Sequence, residues 1–366
     1  MKAYHILYHT DEDGTAAAAV VYEYLKRITK ESGKRVRYFF YKIDYTVLIQ
    51  SLLGGIHDGD EVFLVDYSFS KRDNLEFILD LADKGINVTW IDHHKTSVDI
   101  VKGLKFTDID IYNYKNLHFY IEDNACGAAL AYEYFYTIIN GDYGDAYHYR
   151  YIDYLAYVNS HDTWRFNVPN TTEFSYGIMG LKHTPRNIFS QIFNYRSDLV
   201  NELFDKCHST EFKSAMQNFV YKIIENGKRI KEYCDTMNKS MLDQYSFECF
   251  IRDFTNEKVY KCIVLNKRGN SLVFGDLIDE YDIVIPYIFN GEQYIYSLFS
   301  NKDYVDCEQI AKILGSYNNL GGGGHLHAAG FQTHDNIFMK DGVVNISKKL
   351  FSFLHKDNKY SIIISR

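Results

Sequence analysis

The segment Trp90-Ile91-Asp92-His93-His94 places one acidic residue and two histidines directly after a short apolar run. That run, Gly85-Ile86-Asn87-Val88-Thr89, is rich in β-branched residues and predicts a buried strand. In open α/β sheets, chemistry collects at the carboxyl ends of strands. By itself the segment is a weak signal, because neighbouring histidines in a loop are more often surface residues than ligands. Its meaning depends on whether other strand ends carry similar side chains.

The composition is that of an ordinary globular protein. The 366 residues suffice for two domains, and 46% hydrophobic with 24% charged residues argues against extensive disorder. A net charge of -8 argues against a protein that coats long nucleic acid, but it permits a small anionic ligand held through metal ions. The six cysteines form no CxxC pair, and neither a signal peptide nor a membrane span is visible. We therefore expect free thiols, a cytoplasmic location and no membrane association.

A similar set of side chains follows the first predicted strand, Ala3–Tyr8. The chain continues as His9-Thr10-Asp11-Glu12-Asp13-Gly14, and a helix is predicted over Thr15–Ile28. A polar turn with an acid near a helix N-terminus would explain one of these acids but not the set. In extended geometry alternate side chains share a face, so three of them could point into one pocket: His9, Asp11 and Asp13.

Two later predicted strands are also followed by an acidic residue. The predicted strands Arg35–Tyr41 and Glu61–Val65 follow, and the second of them ends in Asp66. An amphipathic helix is predicted over Lys71–Lys84, before the strand that leads to Asp92. Alternating strands and helices imply parallel pairing, and therefore an α/β fold with a doubly wound sheet.

The remainder of the N-terminal half is predicted to be helical. Residues 95–122 are loop-like, and a helix over Ala125–Ile139 opens with small residues. These allow close approach to the sheet or to a bound phosphate, although close helix packing explains them equally well. A helix over Tyr149–Val158 is followed by Asp162, the fourth acidic site, and the domain is predicted to end near Pro185.

The C-terminal half is predicted to be a second, smaller α/β domain with a mixed sheet. A long helix over Thr210–Met237 lies inside a helical connector of residues 186–240, and the second domain covers residues 241–366. Its predicted strands are Phe247–Ile251, Tyr260–Leu265, Ile283–Phe289 and Tyr294–Phe299, and its helices begin near Ser271, Cys307 and Ile346, the last two ending at Leu314 and Leu354.

Four consecutive glycines, Gly321–Gly324, precede His325. Such a run costs backbone entropy and is not expected in regular structure. We favour a nest of backbone N–H groups that closes on an anion, with His325 as a further donor. The alternative is a flexible hinge, but a hinge requires neither the histidine nor the tight Ala328-Ala329-Gly330 that follows.

Taken together, the N-terminal half offers four carboxylates and two imidazoles at one sheet edge: His9, Asp11, Asp13, Asp66, His93 and Asp162. Oxygen ligands mixed with imidazole suit Mn²⁺ or a similar divalent cation. Six ligands are too many for one ion that keeps an open position. Two ions about 3.5–4 Å apart, sharing one carboxylate, would use all six, as in enzymes of in-line phosphoryl displacement.

Four motifs of the DHH phosphoesterase superfamily resemble segments of this sequence: His9–Gly14, Asp66, Asp92-His93-His94 and Asp162. The segment Gly321–Phe331 is similar to the glycine-rich signature of its DHH-associated C-terminal domain. Relatives of this kind include RecJ-type exonucleases, nano-RNases that degrade very short oligonucleotides, and cyclic-dinucleotide phosphodiesterases. The resemblance implies a catalytic metal-binding domain over residues 1–185 and a substrate-binding domain over residues 241–366.

The resemblance also implies roles for individual residues. One Mn²⁺, replaceable by Mg²⁺ or Co²⁺, would bind His9, Asp11 and Asp66. A second would bind Asp13, Asp66, His93 and Asp162, with Asp66 as the bridge. The implied catalytic residues are Asp92, which orients a histidine, and His94, which contacts the substrate phosphate. The other implied substrate-binding residues are Ser297, Gly322, Gly323, Gly324 and His325.

One segment departs from the family pattern. Relatives often carry a Ser-Leu-Arg-Ser run before the glycine motif, and its arginine contacts the substrate. Here the run is Ser297-Leu298-Phe299-Ser300. Phe299 cannot pair with a phosphate, although it could stack on a base. The choice among RNA, DNA and cyclic dinucleotides therefore stays open.

The expected function is a metal-dependent phosphodiesterase that hydrolyses short oligonucleotides or linear dinucleotides to mononucleotides in a cleft between domains. The alternatives are a pAp-type phosphomonoesterase, a single-strand exonuclease and a cyclic-dinucleotide phosphodiesterase. The non-enzymatic alternative is a binding scaffold without catalytic activity. The complete ligand set argues against it, because a scaffold has no physical need for four convergent carboxylates. Whether the chain forms a homodimer is left open.

Overall fold

The computed structural model describes residues 1–141, 148–193, 199, 203–205, 207–253, 258–316, 320–338 and 360–364. The chain forms two compact units, Met1–Ile230 and Lys231–Arg366. The finer division into a domain of residues 1–185, a connector and a domain of residues 241–366 stays a prediction.

The first unit is built on a five-stranded parallel sheet. Its strands are β1 (Ala3–His9), β2 (Arg37–Ile43), β3 (Glu61–Val65), β4 (Asn87–Asp92) and β5 (Leu117–Ile121). They are arranged in the order β2-β1-β3-β4-β5, and every neighbouring pair is parallel. The α/β class predicted from the sequence is therefore confirmed. Six of the seven residues of β1 are buried, as expected for a parallel strand covered on both faces.

The helices of the first unit cover the two faces of this sheet. They are α1 (Glu12–Ser32), α2 (Ile49–Leu52), α3 (Arg72–Asp83), α4 (Lys95–Val101), α5 (Gly127–Asn140), α6 (Asp153–Asp162), α7 (Thr171–Met179) and α8 (Ile188–Ile192), and the long helix α9 (Thr210–Tyr245) follows. Adjacent strand residues belong to different cores: Ile6 and Ile91 to one, Leu7 and Trp90 to the other. The alternation follows from the period of two in a strand.

Several sequence predictions for this unit were wrong in detail. Residues 95–122 are not a loop, because they contain α4, a 3₁₀ turn over Ile111–Asn113 and β5. Strand β5 was missed because it lies at the sheet edge, where only Leu117 is fully buried. Strand β4 does not end at Thr89 but continues through Asp92, and Asp162 is the last residue of α6 instead of a loop residue beyond it.

The second unit contains a mixed sheet, as predicted, and the sheet has seven strands. Its strands are β6 (Ser246–Asp253), β7 (Val259–Asn266), β8 (Ile283–Phe289), β9 (Tyr294–Phe299), β10 (Gly322–Gly324), β11 (Ala328–Thr333) and β12 (Tyr360–Ile364). The order is β10-β11-β9-β8-β7-β6-β12, with β7 and β8 parallel and the other neighbours antiparallel. A 3₁₀ turn (Ser271–Phe274) and the helices α10 (Leu277–Glu280) and α11 (Cys307–Ser316) accompany it. The predicted helix Ile346–Leu354 lies outside the described residues.

The glycine run forms regular structure, contrary to expectation. Gly322–Gly324 is the edge strand β10, paired with β11. A Cβ at Gly322 would lie 2.1 Å from the carbonyl oxygen of Ala311 in α11. Close approach of strand and helix therefore explains the absence of a side chain at this position.

All six cysteines lie within the described residues and are free thiols, as predicted. Among the described helices, none combines the length and the apolarity that crossing a bilayer requires. The cytoplasmic location stays a prediction.

Candidate metal centre

Asp66 lies at the centre of a polar cluster at the carboxyl edge of the first sheet. It follows β3 directly, with a φ of 52°, which non-glycine residues rarely adopt. Its N–H donates to the carbonyl oxygen of Ile91 at 2.9 Å. Its carboxylate is buried, and neither oxygen accepts a hydrogen bond from any described residue. A buried carboxylate that accepts no hydrogen bond is costly, so this position fits a bound cation.

One oxygen of Asp66 faces His9 and Asp11. His9 is the last residue of β1, and Asp11 caps α1 by accepting the N–H of Gly14 at 2.9 Å. The Nδ1 atom of His9 lies 2.6 Å from Asp11 Oδ2 and 3.9 Å from Asp66 Oδ2. Ligand atoms of these three residues lie within 4.8 Å of one another, close enough to hold one metal ion.

The other oxygen of Asp66 faces a second group. The Nε2 atom of His93 lies 3.3 Å from Asp66 Oδ1, 3.4 Å from Asp162 Oδ2 and 3.7 Å from Asp13 Oδ2. Asp162 Oδ2 is also buried without a hydrogen-bond partner among the described residues. The structure thus brings together all six candidate ligands, with Asp66 between the two groups where a bridging carboxylate would lie.

Asp13 reaches the cluster in a way that the sequence analysis did not anticipate. It is not part of an extended segment but lies in the first turn of α1. Its carboxylate accepts the N–H groups of Gly127 and Ala128 at 2.7 and 2.8 Å, so the N-terminus of α5 binds a side chain. A Cβ at Gly127 would lie 2.6 Å from the Cβ of Asp66. Glycine at this position is therefore a requirement of the site.

The comparison with known families agrees with this geometry. Residues 4–157 match the DHH family, N-terminal domain. This segment therefore matches the DHH family in sequence. The match confirms the resemblance to the DHH family for the motifs that lie within residues 4–157. The matched region contains Asp92, His94 and all the candidate ligands except Asp162, which lies shortly beyond its end.

Alignments with similar proteins cover most of the chain. An uncharacterized protein of Acanthamoeba polyphaga mimivirus is 22% identical over 335 residues, which are 89% of this chain and 66% of that protein. RecJ from Thermus thermophilus in complex with Mn²⁺ is 17% identical, with 92% of this chain and 50% of RecJ covered and a TM-score of 0.45. A pGpG-specific phosphodiesterase, PggH, from Vibrio cholerae is 16% identical, with 90% and 93% covered and a TM-score of 0.40. The chain therefore spans just under two thirds of its curated relative.

Electrostatics in the DHH domain favours cations at the cluster. Burial, followed by the charges of neighbouring carboxylates, raises the pKa of Asp66 and of Asp162 well above the ordinary value. At Asp11, burial is outweighed by the contact with His9, which lowers the pKa to about 2. Carboxylates this close cannot all ionise without compensating positive charge.

Asp92 and His94 form a pair beside the cluster. Asp92 is fully buried; Oδ1 lies 2.7 Å from His94 Nδ1, and the other oxygen accepts the hydroxyl of Ser97. Burial opposes the charge on His94, but Asp92 outweighs it and raises the pKa of His94 to about 9. The hydroxyl of Tyr45 lies 3.3 Å from His94 Nε2. Tyr45 was missed because an aromatic residue after a strand gives no specific signal.

The sequence reasoning also missed a contact that Glu12 makes with Tyr154 and His183. Glu12, between two candidate ligands, hydrogen-bonds to Tyr154 in α6 and lies 3.0 Å from Nδ1 of His183. His183 Nδ1 is also 2.8 Å from the hydroxyl of Tyr154. This contact fixes the start of α1 to α6, the helix that ends in Asp162.

The second unit contains the remaining candidates. Ser297 in β9 pairs in register with Gly330, and Ser297 and Gly322 line one cavity of about 360 Å³. Gly323 and Gly324 continue toward a turn in which the N–H of His325 donates to the carbonyl oxygen of Ala328 at 2.7 Å. Phe299 is half-buried against the apolar cluster around Phe274 and Tyr281.

Proposed function

We propose that this protein is a metal-dependent phosphodiesterase that hydrolyses short oligonucleotides or linear dinucleotides to mononucleotides. The observation that carries the proposal is the buried carboxylate of Asp66. It lacks hydrogen-bond partners among the described residues, and its two oxygens face two groups of ligand-type side chains. A binding scaffold has no use for such an arrangement, because clustered buried carboxylates are unfavourable without cations.

The cluster provides a complete ligand set for two divalent cations. One would be held by His9, Asp11 and Asp66, and the other by Asp13, Asp66, His93 and Asp162. Mn²⁺ suits this mixture of carboxylate and imidazole, and Mg²⁺ or Co²⁺ are the alternatives. A bound pair of this kind supplies a water of lowered pKa and neutralises charge on the reacting phosphoryl group.

His94 is suited to contact the phosphate. Burial lowers the pKa of His94, but the charge of Asp92 raises it to about 9, which favours the ring with a proton on both nitrogens. Asp92 holds Nδ1 and fixes the orientation of the ring, while Nε2 faces the hydroxyl of Tyr45. We propose that Nε2 donates to a phosphate oxygen of the substrate and that Asp92 acts by positioning it.

The proposed short substrate is consistent with the net charge of -8, which disfavours long nucleic acid. We propose that the second unit contributes substrate contacts through Ser297, the glycines Gly322–Gly324 and His325. The cavity that Ser297 and Gly322 share supports this proposal.

The test is to incubate the purified protein with Mn²⁺ and a panel of pApA, a short RNA, long single-stranded DNA, c-di-AMP and pAp, beside Asp66→Asn as an inactive control. The proposal predicts that pApA and the short RNA are hydrolysed fastest. Hydrolysis of pAp alone would identify a phosphomonoesterase, and a preference for long DNA an exonuclease. A protein inert toward every substrate would support the scaffold alternative.

A further inference from the structure

A cluster of three aromatic rings lies at the end of α6 and in the loop that follows Asp162. The ring of His161 lies 5.9 Å from the rings of both Trp164 and Phe166, and these two rings meet edge to face at 4.8 Å. All three side chains are half-buried, so part of the cluster faces solvent. The proposed function gives this cluster no role.

The backbone of this loop is strained at both large aromatic residues. Trp164 has a φ of 56° and Phe166 a φ of 46°, a region that glycine adopts freely and bulky residues rarely do. Strain of this kind persists only where the surrounding structure enforces it, and it concentrates at ligand-binding positions. Glycine would form the same turn without strain, so the backbone alone does not account for the indole.

Ser160 enforces this conformation. Its carbonyl oxygen accepts the N–H groups of both Arg165 and Phe166 at 3.1 Å. Its hydroxyl, which is fully buried, accepts the N–H of Val168 at 3.2 Å and bonds the hydroxyl of Thr171 at 2.9 Å. The backbone that carries the rings is thus held in place before any ligand arrives.

The loop starts at the metal centre itself. Asp162 is a candidate ligand, with Oδ2 3.4 Å from His93 Nε2. Trp164 is two residues further along, so its Cα lies within about 7 Å of the Cα of Asp162. A nucleotide whose phosphate binds to a cation held by Asp162 would have its base within reach of this loop.

We propose that Trp164 stacks on the base of the nucleotide whose phosphate is bound at the Asp66–Asp162 cluster. His161 and Phe166 hold the indole in position. This inference rests on the proposed function and adds a specificity-determining residue to it. Because every base offers a π-face, the stacking distinguishes nucleotides from sugar phosphates without selecting one base.

A binding experiment tests the stacking without any catalysis. The chain has two tryptophans, and Trp90 is fully buried, so a ligand-dependent change in emission reports on Trp164. We expect AMP to quench the fluorescence of the metal-loaded protein and ribose 5-phosphate to leave it unchanged. In Trp164→Phe, which retains only Trp90, AMP should cause no quenching. Equal quenching by both ligands, or none by AMP, would overturn the proposal.

A kinetic experiment tests its effect on specificity. The substrates are pApA and two analogues, each lacking one base. With the wild-type protein, we expect kcat/KM for one of the two analogues to be lower than kcat/KM for pApA by about tenfold or more. A factor of this size is the scale of base–aromatic stacking. In Trp164→Gly, which also relieves the strain, the ratio of intact to abasic substrate should approach one, and Trp164→Phe should keep most of it. A ratio that Trp164→Gly leaves unchanged would mean that the indole only packs against its neighbours.

A matched control separates stacking from strain relief. Phe106 is also half-buried with a φ of 51°, in the loop after α4. Phe106→Gly should leave the intact-to-abasic ratio as in the wild type, and an equal loss in both variants would overturn the proposal. If wild-type protein hydrolyses neither dinucleotide, the proposed function fails, while the fluorescence titration still decides the stacking.

Discussion

At the scale of single residues, Gly127 shows most clearly how the site constrains the sequence. We predict that Gly127→Ala lowers metal affinity by roughly tenfold or more, because the added Cβ would lie 2.6 Å from Asp66 Cβ and displace a ligand. Isothermal titration calorimetry with Mn²⁺ measures the affinity. Gly54→Ala is the control, since a Cβ there meets nothing within 4 Å. Equal affinities in both variants would contradict the close packing of α5 on the site.

The raised pKa values of Asp66 and Asp162 predict a pH dependence. A carboxyl whose folded pKa is raised retains its proton above 3.8, the ordinary value, and a metal must displace that proton. We therefore expect affinity for Mn²⁺ to fall as pH falls toward the acid range, with protons released on binding. Calorimetry in buffers of different ionisation enthalpy measures both quantities. An affinity that is independent of pH would contradict the assignment.

The stability of the metal-free protein should change with pH in the opposite direction to its metal affinity. Because the folded state disfavours the ionised form of these two carboxyls, the metal-free protein should lose stability as pH rises above 3.8. Denaturant unfolding in the presence of a chelator measures this loss. The metal-loaded protein should not show it, since cations compensate the charge.

Residues at strand ends could be predicted from the sequence, and residues that support them could not. Asp66 and His93 follow apolar runs, which the sequence displays directly. Tyr45 and Gly127 act through contacts with distant segments, at 3.3 Å from His94 and against Asp66. No local pattern marks such contacts, because they depend on how the elements pack.

At the scale of elements, α5 connects the fold to the metal centre. Asp13 accepts two N–H groups at the start of this helix, whereas Asp162 Oδ2 accepts none from the described residues. We predict that Asp13→Ala lowers the free energy of unfolding of the metal-free protein by about 1–2 kcal/mol, as for loss of a helix cap. Asp162→Ala should leave it unchanged or raise it, because repulsion is relieved. Equal losses in the two variants would contradict this division of roles.

The elements with strong apolar periodicity were predicted almost to the residue. Strand β3 and strands β8 and β9 match their predicted bounds, because each is an apolar run between turn signals. Strand β5 was missed because it is short and largely half-exposed. Strand β10 was missed because glycine has no strand preference, and close packing against Ala311 decides its place.

At the scale of the whole molecule, we propose different roles for the two units. The candidate metal ligands all belong to Met1–Ile230, while His325 belongs to Lys231–Arg366. We predict that His325→Ala leaves the metal content unchanged. It should lower kcat/KM for pApA more than for a small generic phosphodiester, because the proposed contact between His325 and the substrate is lost. An unchanged ratio of the two values would show that the second unit's turn makes no substrate contact.

We propose that Asp66 bridges two metal ions, and the number of ions bound per chain tests this bridge most directly. Equilibrium dialysis against Mn²⁺ followed by elemental analysis should give two ions per chain in the wild type. Asp66→Ala should bind fewer ions, remain folded and lose phosphodiesterase activity by several orders of magnitude, since both ions lose a ligand. A fully active protein with at most one ion per chain at saturation would contradict the claim.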